Sequence, residues 1–146
     1  MGNCNVQEPF FTEDGFATGL IVPGTAVIID TTSYDGVTMS YKQAISPTAP
    51  AGMIHGVMRG VPMGGGVVSN AAAGDRIQIY KLGSNAIVKL SGTVTDPSVP
   101  LKLDGTPSNG FTPCTSNKDF YCAIPNETGA AGTYISAFIT VGTVSM

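Results

Sequence analysis

The sequence has no tryptophan, one histidine and three cysteines, and only 12% of its residues are charged. Each scarcity removes a class of function. A hydrolase with a Ser or Cys nucleophile needs a nearby base, usually His. Here His55 stands alone on an expected strand, without a Gly-x-Ser-x-Gly elbow. Cys4, Cys114 and Cys122 lack the paired short spacings of a zinc site. Asp14, Asp35, Asp96 and Asp104 fall mostly in turns. Asp is a turn former there, which outweighs a carboxylate pair for glycoside cleavage. Gly64 to Gly66 are not followed by Lys-Ser or Lys-Thr, so they do not make a phosphate loop. No catalytic, metal or cofactor residue is assigned, and the chain reads as a non-enzyme.

The shortage of charge is informative in itself, since an average soluble protein carries about 25%. The net charge is -3 and no basic run occurs. Nucleic-acid binding, which works by displacing counterions, is therefore not expected. No apolar run reaches the ~18–20 residues of a membrane helix; the longest, Leu20 to Ile29, is broken by Pro23 and Gly24. Met1 to Val6 has neither the basic nor the apolar region of a signal peptide. With an odd cysteine count, this favours free thiols, a Cys114–Cys122 bridge being the alternative. A skin so poor in charge reads as one covered by other subunits.

Glycine (19), proline (10) and alternating β-branched stretches are abundant. The clearest stretch runs from Gly74 to Thr95. Ala86, Val88, Leu90, Gly92 and Val94 alternate with Ile87, Lys89, Ser91, Thr93 and Thr95, the period of a strand with one buried face. Ile77 and Ile79 alternate likewise before Leu82-Gly83-Ser84-Asn85, so a β-hairpin is expected. Further strands are expected within 19–30, where Ala26 to Ile29 is apolar on both faces, and within 38–45, 53–59, 101–103, 120–124 and 133–144. Turn signals separate them, and no window holds a helical apolar period. The fold class is all-β: a single small β-barrel or β-sandwich domain of short antiparallel strands, residues 17–146, with an extended N-terminal arm, residues 1–16. On the arm, Asn3, Asn5, Gln7, Phe10 and Phe11 are the expected partner contacts. Lys89, Ser91, Tyr134 and Phe138 are the expected subunit interface.

A Gly-Asp pair opening a strand, a Gly turn, and a Val/Leu strand ending in Ser-Gly-Thr resembles the small decoration (cement) proteins of tailed-phage heads. The carriers are Gly74-Asp75, Gly83, Val88, Leu90 and Ser91-Gly92-Thr93. The resemblance covers about the middle half of the chain; Cys114, Cys122 and the glycines from Gly64 depart from it. It implies a structural protein made in the host cytoplasm and carried on the outer capsid surface of a virion. Its implied partners are the major capsid protein and itself, as a homotrimer. The competing reading is a receptor- or glycan-binding module of a fibre or adhesin, against which the lack of tryptophan counts.

Overall fold

The computed structural model describes residues 11–32, 39–43, 54–59, 69–104 and 110–145. Asn3, Cys4, Asn5, Gln7, Phe10 and Gly64 to Gly66 lie outside the described residues. No helix occurs among the described residues, and the fold is all-β. Ten strands follow one another among the described residues: β1 (Thr12–Ala17), β2 (Ala26–Ile29), β3 (Ser40–Gln43), β4 (Gly56–Met58), β5 (Arg76–Lys81), β6 (Asn85–Lys89), β7 (Leu101–Leu103), β8 (Phe111–Pro113), β9 (Phe120–Pro125) and β10 (Tyr134–Thr143). The first five close into a barrel in the order β1-β3-β2-β4-β5, and the last five form a sheet in the order β6-β10-β9-β7-β8. The β1–β3 pairing is parallel; every other pairing between named strands is antiparallel.

Inside the barrel, Ala17, Val27, Tyr41, Met58, Ile77 and Ile79 make one core. Ala26, Ile54 and Val57 belong to a second core, shared with the inner face of the sheet: Val88, Leu90, Leu101, Phe111, Ile135 and Ile139. β2 and β4 are therefore buried on both faces, which explains the unbroken apolar run of Ala26 to Ile29. Fully burying one Val or Leu side chain favours folding by roughly 1.5–3 kcal/mol. Val57, Val88, Leu90 and Leu101 are all fully buried, so this shared core is what joins barrel to sheet.

The expected hairpin is corrected. β5 and β6 point their faces as the alternation requires, with Ile77, Ile79, Ala86 and Val88 buried. They do not pair with each other, however. β5 pairs with β1 and β4, while β6 pairs with β10. Leu82-Gly83-Ser84 carries the chain from barrel to sheet. Gly83 takes φ +90°, a conformation cheap only for glycine. Its N–H donates to the Ile139 carbonyl (2.8 Å), and the Ile139 N–H donates to the Ser84 carbonyl (2.8 Å). The turn thus has its own bond, from the Ser84 N–H to the Lys81 carbonyl (3.2 Å), and is tied to β10 as well.

The expected boundary at residue 16 falls inside β1, whose residues pair with β5 from Thr12↔Tyr80 to Phe16↔Arg76. β1 gives almost no apolar signal because its inward positions are Glu13, Gly15 and Ala17. Gly15 is required by close approach: a Cβ there would run into the Tyr41 ring and the Met39 carbonyl.

Candidate interaction surface

Three of the four expected interface residues share one face. In the β6–β10 ladder Lys89 lies opposite Tyr134, Ile87 opposite Ser136, and Asn85 opposite Phe138. The neighbouring positions Val88, Ile135, Ala137 and Ile139 face the core, so Lys89, Tyr134 and Phe138 face outward. Ile124 of β9 lies opposite Phe138 on the other side and extends an apolar row across the sheet. Tyr134 is 42% exposed. Its ring lies against Gly24, whose carbonyl accepts the Lys89 N–H at 2.9 Å. Ser91 is occupied differently, with both its N–H (2.8 Å) and its hydroxyl (3.2 Å) donating to the Phe111 carbonyl. Asn126 Nδ2 borders the row and donates to Asn85 Oδ1 and Ser136 Oγ, each at 3.0 Å.

Phe11 is the first described residue of the arm, and it is 56% exposed. Its backbone is nevertheless fixed. Its N–H donates to the buried Ser84 hydroxyl at 2.6 Å, and its carbonyl accepts from the Lys81 N–H at 2.7 Å. The ring lies over Gly83, next to exposed Leu82. Phe11, Leu82 and the barrel-to-sheet turn therefore form a small apolar corner where the chain enters β1.

A polar cluster that no sequence pattern marks adjoins Lys81. The Glu13 carboxylate accepts a short hydrogen bond from the Tyr41 hydroxyl, and Lys81 Nζ lies 3.1 Å from its Oε2. His55 Nε2 is 3.5 Å from the same oxygen and is buried without a hydrogen-bond partner among the described residues. The His55 ring packs on Tyr41, with centroids 5.4 Å apart. Burial raises the Glu13 pKa. Hydrogen bonds from Tyr41 and Lys81 and the field of His55 outweigh burial and hold it below the ordinary 4.5. Burial, followed by the bond and charge of Glu13, pushes the Tyr41 phenol well above its usual range. Tyr41 is fully buried and both carboxylate oxygens are engaged. The cluster is therefore a clasp holding β1 in the barrel, with the His55 ring packed on Tyr41. Glu13 falls within the expected arm, and a carboxylate at an inward strand position breaks the pattern that marks a strand.

Elsewhere, Cys114 and Cys122 are free and buried. Among the described residues no group of three or more His, Cys, Asp or Glu could hold a metal.

No protein-family model and no curated protein matches the chain. Among solved structures, the fold is similar to the N base of the head fibre gp8.5 in bacteriophage phi29. That likeness has a TM-score of 0.59 and 13% sequence identity, and covers 90% of this chain and 95% of that one.

Proposed function

We propose that the chain is a non-enzymatic structural protein of a phage head, seated on the outer capsid surface and bridging neighbouring major capsid proteins. The observation that carries this reading is the near end-to-end likeness to the base of a head fibre. The low charge and the outward row of Tyr134, Phe138 and Ile124 support a molecule that buries its surface against others. In this reading residues 1–10, with Phe11 as their fixed root, contact the capsid. The outer face of β6 and β10 contacts other copies in a homotrimer. A second reading, the base or receptor-binding module of a fibre, is favoured by the same neighbour, which is itself part of a fibre.

Co-sedimentation with empty phage heads tests the first reading. The full chain is expected to pellet with heads, and a chain lacking residues 2–10 is expected to stay in the supernatant with an unchanged far-UV spectrum. The deletion stops before Phe11, because removing that residue would strip the buried Ser84 hydroxyl of its partner. Failure of the full chain to pellet, together with glycan-array binding, would favour the fibre reading.

A further inference from the structure

Both arginines of the chain line one cavity, of about 360 Å³, on the outside of the barrel beside β4 and β5. Its volume is that of a small-ligand site. Met58 and Ile77, whose side chains belong to the barrel core, border it, and Asn70, Gln78 and Asp75 supply polar groups. Arg59 is oriented but not neutralised. Its Nη1 donates to Gln78 Oε1 at 2.6 Å and its guanidinium lies 5.9 Å from the centre of the Tyr80 ring. No carboxylate pairs with it among the described residues. Among the described residues the Arg76 side chain is held by one exposed pair, with Asp14 at 3.3 Å, a contact of the kind a ligand exchanges at little cost. A guanidinium presents a fork matched to a carboxylate. The Asp75 carboxylate stands at the same cavity. Asp75 Oδ2 accepts the Ala72 N–H at 2.8 Å and the other oxygen is an acceptor for hydroxyls, so a ligand with both a carboxylate and hydroxyls matches more of the wall than a simple anion does.

We propose that this cavity binds a carboxylate-bearing sugar, its carboxylate on Arg59 and its hydroxyls on Asn70, Gln78 and Asp75. The proposal deepens the fibre reading and is independent of attachment to heads, so its failure leaves the co-sedimentation result untouched.

The test is a titration of the ¹⁵N-labelled full chain with glucuronate, glucose and acetate, followed by NMR. Glucuronate is expected to shift the side-chain signals of Arg59, Asn70 and Gln78 and to saturate near ~1 mM, with glucose and acetate each about tenfold weaker or more. Arg59→Gln should weaken glucuronate about tenfold, the loss expected for a charged contact, while leaving the rest of the spectrum in place because its side chain is at the surface. Asp14→Asn, which releases Arg76, should leave affinity equal or tighter. The proposal is overturned if glucuronate gives no saturable shift, if acetate binds as well as glucuronate, or if Arg59→Gln binds unchanged.

Discussion

Glu13 is the residue at which side chains from three other parts of the barrel meet: Tyr41 of β3, His55 before β4 and Lys81 of β5. Glu13→Gln keeps the shape but removes the charge, and is expected to cost roughly 1–3 kcal/mol in urea unfolding at pH 7. The pH dependence has a defined sign. A carboxyl held below its unfolded pKa stabilises the fold fully above that value and loses its contribution as pH falls through the folded one. For Glu13 the loss therefore begins below 4.5. Asp30 behaves alike. Hydrogen bonds from Thr32 and Thr18 hold it at about 2, against an ordinary 3.8. Acid titration of stability should be flatter in the Glu13→Gln chain than in wild type. A parallel pair of curves would mean that the clasp carries no pH-dependent stability. The thiols make the opposite case. Burial pushes Cys114 up to about 11 and Cys122 to about 12, and the thiolate is the reactive form. In a Cys4→Ser chain, a disulfide reagent at pH 8 should label neither until denaturant is added. Rapid labelling of the native chain would mean that the two sites open.

Strand faces were legible at the level of the element, and strand partners were not. Val88 and Leu90 are fully buried, and Lys89 lies on the outward face, as the alternation requires. Val88→Asp or Leu90→Asp buries an unpaired carboxylate, a cost comparable with much of a total stability of about 5–15 kcal/mol. These variants should be unfolded by circular dichroism, whereas Lys89→Asp should fold. Wild-type melting of the Val88 variant would reverse the assigned faces. The alternation carries no trace of whether a glycine turn returns the chain upon itself or sends it to another sheet. Here hydrogen bonds exchanged with Ile139, distant in sequence, tie the turn at Gly83 and Ser84 to the sheet. β1 was missed for a related reason: its inward positions hold a carboxylate and a glycine, and period-two reading depends on apolar side chains at those places.

Across the whole molecule, the outward row of Tyr134, Phe138 and Ile124 is where the proposed homotrimer would seat a second copy. The proposed homotrimer predicts that light scattering gives three chains per particle at tens of micromolar. Phe138→Lys should shift the mass toward one chain without loss of the far-UV spectrum. A monomeric wild type would remove self-association in solution. Part of this surface could be read in advance. Lys89 lies outward by the parity of its arm, and the β6–β10 register brings it together with Tyr134 and Phe138. Ser91 was placed by the same parity, but its bonds to Phe111 tie it to β8. The Arg59–Arg76 cavity could not be read this way, because it depends on β4 meeting β5.

The route by which the chain enters the barrel also has a mechanical consequence. A tension applied through the residues before Phe11 would run along β1, which is bonded to β5 over five register pairs and to β3 on its other side. Load along a strand flanked by two neighbours shears those hydrogen bonds together rather than unzipping them singly. Glu13, near the loaded end, would add its ion pair to that resistance. If the other end is pulled from beyond Thr143, the force must also cross the shared core between barrel and sheet. An anchored copy would therefore transmit strain from its attachment point into its own interior, instead of letting its first strand peel away.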